Sequence, residues 1–494
     1  MPKIRLRYAG LIAFVTHIVG IFTGFLFVTI ITRRLPIYEF GLWVWISRLI
    51  GYFAFPALII NYWVTRYIAR GFKVAKTSLL LTTLLASIST IFYLAILPLA
   101  SKVVNAPQFF FLIATIQVPL TYFIYNLNSI SYGTRPQVIS YGNLVFEILK
   151  VPIAALMVVF FRLSLIGAIL AVAFAQICQV LIVYTFIRSE VKGSFDKKLV
   201  KLWLKAFWIP MYGEFANFSL TLDVIIIIAL ISSSVALAYF GAAYTIASLV
   251  CSPIYLAYAL YPKLLAGGVS KDVEEALKLV MMLAIPMAIG AFIISREILY
   301  ILNPKYVVAV PVAQVLILYA LLCIIASFSG YIILGTEKVE LNPESTVKDF
   351  VKSLLFTLPT ITLAQNITYL ILLSIVTYFS TLFKIEEIEI VLYWVYILLI
   401  SSTPFAFYKW LLARRALRFT IPIKNMLRYL CASLPMVVVV QLLKYQLTYV
   451  PYIFQFVFNI MILIGFGAVV YFITLYLIDS EFRSLIGLTI SKLK

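Results

Sequence analysis

Six ionisable residues stand inside long apolar stretches of this sequence, away from the polar segments that separate those stretches. They are His17, Arg48, Glu147, Lys150, Glu214 and Asp223. A charged group in hydrocarbon costs about 2.5–3.5 kcal/mol on insertion scales, so each of the six is a candidate for function. Together they would cost roughly 15 kcal/mol, which is comparable to the whole stability of a protein. Most of them must therefore face water or one another.

Two of these residues, Glu147 and Lys150, lie three positions apart and share one face of a helix. One interpretation is a structural ion pair that neutralises both groups inside the membrane. The other interpretation is functional: Lys150 attracts an anionic substrate, and Glu147 keeps that substrate from binding too firmly. Both interpretations place polar chemistry in the interior of a helical bundle.

Arg48 has no acidic residue one helical turn away in its own apolar stretch. Its guanidinium is always charged and presents a planar set of donors that suits phosphate. We therefore predict that Arg48 lines a cavity and binds a phosphate group. The alternative is an ion pair that Arg48 forms with Asp223 or Glu214 across the bundle.

Asp223 and Glu214 belong to one apolar stretch but are nine residues apart. At about 100° per residue of an α-helix they point to opposite faces, so a single site is not expected to contain both. We predict that Asp223 binds a coupling proton or sodium ion. Glu214 is then expected to pair with Lys150 or to lie at the membrane interface.

The elements that hold these residues follow from composition and from the length of the apolar stretches. Of 494 residues, 64% are hydrophobic and 12% are charged, whereas a soluble protein carries about a quarter charged residues. An apolar helix needs about 20 residues to cross hydrocarbon, and stretches of that length recur throughout the chain. We predict an all-α polytopic membrane protein with about fourteen transmembrane helices. Their approximate bounds are 8–32, 40–61, 77–101, 107–130, 138–161, 163–187, 206–231, 235–261, 279–302, 307–334, 354–379, 388–408, 429–447 and 452–478.

The basic residues are distributed unevenly between the two sides of the predicted membrane. The two termini and the even-numbered loops share one side and hold 29 of the 39 Lys and Arg residues, whereas the other side holds 8. The positive-inside rule then places both termini in the cytoplasm, in a multi-pass protein of the cell membrane. Because this arrangement accounts for the net charge of +20, nucleic acid is not an expected partner.

No stretch outside the predicted spans is long enough to fold into a catalytic domain, and this holds for the long loops at about 188–205 and 336–353. The four cysteines each stand alone within a span, without the spacing of a metal site or a disulfide framework. We therefore expect a protein that is not an enzyme and that needs no cofactor or metal. Residues 196–205 place Leu and Trp on one helical face and Lys on the other, which predicts an interfacial linker helix.

An internal repeat appears at an offset of 200 residues, where residues 38–49 align with residues 238–249. The Phe-Gly steps of the two copies coincide, and both copies connect a long apolar span to the next one. Six spans separate the copies, so the repeat is parallel and its axis lies along the membrane normal. The repeat predicts an N-terminal six-helix lobe, a C-terminal six-helix lobe that begins with the linker helix, and two additional transmembrane helices. The corresponding ranges are 1–195, 196–412 and 413–494.

The same offset aligns His17 with Asn217 and Thr23 with Asp223. Both copies therefore place a polar hydrogen-bonding group at the depth of His17. One interpretation is a buried hydrogen bond between His17 and Asn217 across the two lobes. The other is a proton relay through His17, which is the only histidine in the chain.

Residues 32–43 read Thr-Arg-Arg-Leu-Pro-Ile-Tyr-Glu-Phe-Gly-Leu-Trp, and residues 65–70 read Thr-Arg-Tyr-Ile-Ala-Arg. These segments resemble the opening of the O-antigen-type polysaccharide flippases in the multidrug/oligosaccharidyl-lipid/polysaccharide exporter superfamily. There a first span ends in a basic residue and a short Glu-Phe-Gly or Glu-Tyr-Gly turn. Leu222-Asp223 and the stretch Phe-Gly-Ala-Ala-Tyr at 240–244 are similar to the central repeat of the same family.

The resemblance implies export of a lipid-linked sugar by alternating access. The polyprenyl or dolichyl tail remains in lipid, while the phosphate and glycan headgroup passes through a cationic cavity between the lobes. Arg48 is then expected to bind the phosphate or pyrophosphate, with Lys150 as a second cation. The expected partners are the lipid-linked glycan, membrane lipids and a coupling H⁺ or Na⁺, and the expected state is a monomer.

Two other functions stay open at this point. The first is an ion-coupled multidrug exporter of the same superfamily, which would favour acidic over basic residues in the cavity. The second is a membrane-embedded glycosyltransferase or polysaccharide polymerase, which would need a large external loop with carboxylates. The odd-numbered loops are short and contain no Asp, which argues against the second function.

Overall fold

The computed structural model of the protein describes residues 6–69, 72–135, 137–191, 195–197, 199–200, 203, 208–257, 260–265, 268–337, 347–445 and 453–484. The chain is predominantly helical over these ranges, and they contain no β-strand. A chain in hydrocarbon must satisfy every backbone N–H and C=O internally, and a helix does so within one segment. The all-α architecture therefore follows from the apolar stretches.

The chain forms two compact units, which are called here the first and the second unit. The first unit consists of Met1–Gly241 and Leu373–Ile390. The second unit consists of Ala242–Leu372 and Val391–Lys494. Each unit thus combines two separate segments of the sequence.

Ten helices lie wholly within the first unit among the described residues. They are α1 (Leu6–Arg34), α2 (Ile37–Ala54), α3 (Pro56–Ala69), α4 (Ala75–Val103), α5 (Gln108–Ala114), α6 (Gln117–Thr134), α7 (Gln137–Ala154), α8 (Ser164–Ile187), α9 (Trp208–Ser219) and α10 (Asp223–Ile231). A π-helical turn at Ala155–Phe160 extends α7, and a 3₁₀ turn at Leu220–Leu222 separates α9 from α10.

The next helix, α11 (Val235–Val250), begins in the first unit and continues into the second. The helices that follow it are α12 (Leu260–Leu265), α13 (Ser270–Ile293), α14 (Ser295–Leu302), α15 (Val310–Thr336), α16 (Val347–Lys352), α17 (Leu354–Leu382), α18 (Glu387–Ala416), α19 (Ile423–Tyr445) and α20 (Ile453–Ile478). The end of α17 and the start of α18 belong to the first unit, and the remainder of both helices belongs to the second.

Twelve helical segments of the described chain are long and apolar enough to cross a membrane, and each overlaps one of the fourteen predicted spans. The predicted span 8–32 corresponds to α1, a helix of 29 residues. The predicted span 235–261 corresponds to α11 together with a 3₁₀ turn at Ser252–Ala257. The prediction of an all-α polytopic membrane protein is therefore confirmed.

Several of the predicted bounds are wrong, and two of them show the same cause. The span predicted at 279–302 is α13, which already begins at Ser270, where the Asp272 carboxylate accepts a hydrogen bond from the Val269 amide at 2.9 Å. The span predicted at 388–408 is α18, which continues to Ala416. In both cases charged residues within the terminal turns of a helix were assigned to a loop, although helical structure continues through them.

At two of the interrupted spans of the first unit, a tyrosine from another helix donates a hydrogen bond to the backbone at the interruption. The helix pair α2 and α3 breaks before Pro56, which has no N–H to donate to the preceding turn. There the Tyr122 hydroxyl of α6 donates to the Phe53 carbonyl at 2.9 Å. At the 3₁₀ turn between α9 and α10, the Tyr52 hydroxyl of α2 donates to the Thr221 carbonyl. Both interruptions are thus fixed by side-chain donors.

The two Phe-Gly steps of the repeat lie close to each other within the first unit. A Cβ atom on Gly41 would lie 1.9 Å from the Ser234 carbonyl oxygen, and the Ser234 hydroxyl donates to the Tyr38 carbonyl at 3.0 Å. A Cβ atom on Gly241 would lie 3.0 Å from Cγ2 of Val44. Because a side chain at Gly41 would overlap the Ser234 backbone, only glycine permits this crossing of α2 with the start of α11.

The predicted linker helix at 196–205 is described only in part, because residues 198, 201, 202, 204 and 205 lie outside the described residues. In the described part, Trp203 is buried in a hydrophobic cluster of the first unit, with its ring centroid 5.9 Å from that of Tyr67. The predicted apolar face of the linker therefore packs on protein at this residue. The division at residues 195 and 412 stays a prediction.

Candidate functional site

The predicted pair on α7 is an ion pair in the structure. Nζ of Lys150 lies 2.6 Å from Oε2 of Glu147, and both side chains are largely buried. The Thr23 hydroxyl of α1 donates a hydrogen bond to the same carboxylate oxygen. The Lys150 ammonium also lies 5.0 Å from the ring centroid of Phe146 and 5.8 Å from that of Phe27. The lysine thus has a carboxylate and two aromatic rings around its charge.

The packing of α1 on α7 makes this arrangement possible. A Cβ atom on Gly20 would lie 3.6 Å from Cδ of Glu147, so the carboxylate rests directly on the surface of α1. Thr23 follows one turn later and supplies the hydrogen bond. A buried ion pair repays its desolvation only when the geometry is good and further hydrogen bonds satisfy the charged atoms. Glycine and threonine on one face of α1 provide that geometry here.

Arg48 is half-buried in the middle of α2 and forms no ion pair with any residue that the structure describes. The alternative prediction, a pair with Asp223 or Glu214, is therefore not realised. Both Arg48 and Asp223 act electrostatically on the hydroxyl of Tyr52, which lies one turn after Arg48. Arg48 and Asp223 thus both lie near Tyr52 but do not form an ion pair with each other.

Asp223 is the first residue of α10 and follows the 3₁₀ turn at Leu220–Leu222. The residue is 6% exposed, and its Oδ1 accepts a hydrogen bond from the Val224 amide at 2.7 Å. A carboxylate at a helix N-terminus is stabilised by the helix dipole. An interrupted span with a carboxylate at the break is the kind of position at which transporters hold a coupling cation.

Glu214 lies on α9, half-buried, where it acts electrostatically on Tyr125 of α6. It forms no ion pair with a described residue, and Lys150 is occupied by Glu147. The predicted pair of Glu214 with Lys150 is therefore wrong, because Lys150 has a carboxylate one turn away on its own helix. Glu214 and Asp223 act on different tyrosines, and the 3₁₀ turn between them breaks the constant rotation per residue that the prediction assumed.

His17 is half-buried on α1, and Asn217 is exposed on α9. The Asn217 side chain forms no hydrogen bond with any residue that the structure describes, so the predicted His17–Asn217 hydrogen bond is not formed. The physical reason is the position of Asn217 on the exposed face of its helix. A polar role for either residue along a transport path stays a prediction.

Lys409 of the second unit is not among the residues predicted for the site, because the predicted span 388–408 ends just before it. In the structure α18 continues to Ala416, and Lys409 is 7% exposed. Its ammonium donates to Gln365 of α17 at 3.2 Å. The apolar residues 410–413, which follow Lys409 directly, are the signal that could have identified it as part of the span.

These groups suit the binding of charged ligands rather than covalent chemistry. The first unit contains a neutralised lysine, Lys150, and an arginine without an acidic partner among the described residues, Arg48. It also buries the carboxylate of Asp223 at a break in a span. Such a set can hold an anionic group and a cation at separate positions.

No protein-family profile and no curated protein sequence matches the chain. Solved structures do match it. The structure of the lipid II flippase MurJ in an inward closed conformation has a TM-score of 0.59 and 15% sequence identity, covering 97% of this chain and 99% of that one.

Transporters of the MATE family are also similar to this chain. An inward-facing multidrug resistance MATE transporter of the MOP superfamily has a TM-score of 0.57 and 14% identity over 80% of this chain and 94% of its own. A MATE protein in complex with MaD3S has a TM-score of 0.54 and 14% identity over 82% of this chain and 94% of its own. The chain therefore has the fold that the MurJ flippase and the MATE transporters share.

Proposed function

We propose that this protein is a flippase that moves a lipid-linked oligosaccharide or polysaccharide precursor across the cytoplasmic membrane by alternating access. The substrate carries a polyprenyl or dolichyl phosphate, whose tail stays in lipid while the headgroup crosses. The protein acts as a transporter and forms no covalent intermediate with the substrate. It functions as a monomer with both termini in the cytoplasm, as the distribution of basic residues supports.

The observation that carries the proposal is the extent of the shared fold. The lipid II flippase matches 97% of this chain, whereas the inward-facing MATE transporter matches 80%. The difference in coverage corresponds to about as many residues as the predicted pair of additional helices at 413–494 contains. A likeness that spans the whole chain supports a lipid-linked substrate over a small drug.

The cations of the first unit supply the anion recognition that such a substrate needs. Arg48 has no acidic partner among the described residues and offers a planar set of donors to a phosphate. Lys150 is held by Glu147, so a phosphate that reaches it must compete with a carboxylate at 2.6 Å. This competition limits how tightly the headgroup binds, and a flippase must release its substrate on the other side.

Asp223 is proposed as the site of the coupling ion, H⁺ or Na⁺. It is buried at the break between α9 and α10, where turn carbonyls lie close in sequence to the carboxylate. Glu214, His17 and Asn217 are proposed as polar groups along the same path.

The proposal is tested with the purified protein in vesicles that contain a fluorescent polyprenyl-phosphate sugar, whose movement between leaflets is followed by bleaching of the outer leaflet. Arg48→Ala is expected to lower the initial rate about tenfold or more, which corresponds to about 1.4 kcal/mol in the barrier. Lys102→Ala, which removes an exposed cation of the same unit, serves as the control and is expected to leave the rate unchanged.

Equal rates for Arg48→Ala and the unmodified protein would refute the phosphate-binding role of Arg48. A rate for the unmodified protein no higher than that of protein-free vesicles would refute the flippase function itself. Transport of a cationic drug by those same vesicles would then favour the ion-coupled multidrug exporter, which the MATE likeness keeps as the second candidate. A membrane-embedded glycosyltransferase or polymerase is the least supported alternative.

A further inference from the structure

The second unit buries a lysine within a network of neutral polar groups. Lys409 of α18 is 7% exposed, and its ammonium donates to Oε1 of Gln365 at 3.2 Å. The amide nitrogen of Gln365 in turn donates to the Ser402 hydroxyl at 3.1 Å. Ser402 lies two turns before Lys409 on the same helix, so α17 and α18 hold the three side chains together.

The network contains no carboxylate. Among the described residues, no acidic group lies within ion-pair distance of Lys409. The titratable groups that face it come from α15, where Cys323 acts on Lys409 electrostatically and Tyr319 forms a hydrogen bond with Cys323. A charged ammonium buried without a counter-ion is unfavourable, so the site is electrostatically incomplete.

The donors of the network outnumber its acceptors. An ammonium has three N–H donors, and Lys409 uses one of them on Gln365. Ser402 accepts from Gln365, and its own hydroxyl hydrogen has no acceptor among the residues that the structure describes. The unused donors of Lys409 and Ser402 thus lie on the same helix. A ligand with one negative charge would neutralise the ammonium.

We propose that Lys409, Ser402 and Gln365 form a binding site for an oxyanion of the phosphate type in the second unit. Phosphate supplies both the missing negative charge and the acceptors for the unused donors. The inference rests on the proposed function, because it adds a second phosphate contact for the same lipid-linked substrate. The same chemistry would also accept free phosphate or pyrophosphate.

The position of the site suits the entry of a headgroup. Lys409 lies 22 residues after the first residue of α18, roughly 33 Å along the axis, close to the C-terminal end of the helix. The proposed orientation puts that end on the cytoplasmic side, where a lipid-linked precursor is loaded. Gln365 and Cys323 are partly exposed, so the ammonium lies one side chain below the surface of its unit.

The test measures equilibrium binding to the full-length protein in lipid nanodiscs, with polyprenyl phosphate and inorganic pyrophosphate as separate probes. Lys409→Met is expected to weaken binding of at least one probe tenfold or more, whereas Lys409→Arg keeps it within about threefold because the charge remains. Lys424→Met removes an exposed cation of the second unit and is expected to change nothing. The probe that responds identifies the source of the phosphate.

Unchanged binding of both probes to Lys409→Met would overturn the proposal. So would an altered pH dependence of transport with unchanged phosphate affinity, because Lys409 would then carry a proton instead. Ser402→Ala keeps the test valid if Lys409→Met does not fold, since loss of one donor is expected to weaken binding severalfold. Thermal unfolding of each variant establishes that it is folded.

Different results would refute the flippase function and the phosphate site at Lys409. If the unmodified protein binds polyprenyl phosphate through Lys409 but moves no lipid-linked sugar between leaflets, the binding site is supported and the flippase function is refuted. If the protein moves lipid-linked sugar and Lys409→Met binds and moves it equally well, the flippase function is supported and the binding site is refuted.

Discussion

Each unit of this protein buries one lysine inside a membrane span, and the two units satisfy that lysine in opposite ways. Lys150 of the first unit is 8% exposed and has a carboxylate at 2.6 Å, with two aromatic rings close by. Lys409 of the second unit is 7% exposed, and its hydrogen-bond partner among the described residues is an amide oxygen at 3.2 Å. Similar burial with different partners shows that burial alone does not determine the role of a cation. The counter-ion of Lys150 is a side chain of the protein, whereas the counter-ion that we propose for Lys409 is a bound ligand.

The largest expected effect is the loss of the counter-ion in the first unit. Glu147→Leu leaves the Lys150 ammonium buried without a carboxylate, which is expected to lower the free energy of unfolding by about 3–5 kcal/mol. The double variant Glu147→Leu/Lys150→Met removes both charges and is expected to recover most of that loss. Unfolding in mixed detergent micelles measures both. If the single and double variants are equally unstable, the charge of Lys150 is not the cause.

A smaller effect is expected at Thr23, which supports the same carboxylate without contributing charge. Thr23→Val keeps the shape of the side chain and removes one hydrogen bond, so it is expected to cost about 1–2 kcal/mol in the same unfolding measurement. Combined with Glu147→Leu, the Thr23 change is expected to cost less than it does alone, because the carboxylate is gone and the hydroxyl then bonds within its own helix, to the Val19 carbonyl at 2.8 Å. Full additivity of the two changes would show that the hydrogen bond does not support the pair.

The smallest effect on stability is expected in the second unit. Lys409→Met loses one hydrogen bond but also removes a buried charge without a counter-ion, so the two terms offset each other within about 1 kcal/mol. Lys150→Met, the matched change in the first unit, leaves Glu147 unpaired and is expected to cost several times more. If Lys409→Met lowers the free energy of unfolding as much as Lys150→Met does, an internal group neutralises Lys409. The proposed difference between the two lysines would then be wrong.

Most of the fold could be predicted from the sequence, because spans in hydrocarbon have a fixed minimum length and must be helical. The Glu147–Lys150 pair could also be predicted, since a spacing of three residues on one helix fixes which groups meet. Contacts between helices could not be predicted in this way. The Tyr52–Thr221 hydrogen bond joins residues 169 apart, and no pattern within either helix points to it.

The wrong predictions have different physical causes, and the first is that helices do not begin and end where polarity changes. Lys409 was assigned to a loop because a cation follows the apolar stretch of its span, although α18 continues past it. The angle between Glu214 and Asp223 was estimated for an unbroken helix, whereas a 3₁₀ turn separates them. The offset of 200 residues aligns His17 with Asn217, but the exposed position of Asn217 prevents the predicted hydrogen bond.

The crossing at Gly41 limits how far this sequence can be changed. The place of a β-carbon there is already occupied by the Ser234 carbonyl oxygen, whereas a β-carbon on Gly24 would meet nothing within 4 Å. Gly24 can therefore be replaced by alanine without a steric clash. At Gly41 every alternative residue requires that the chain around Ser234 be rebuilt, so substitution at this one position demands coordinated change in a segment almost 200 residues away.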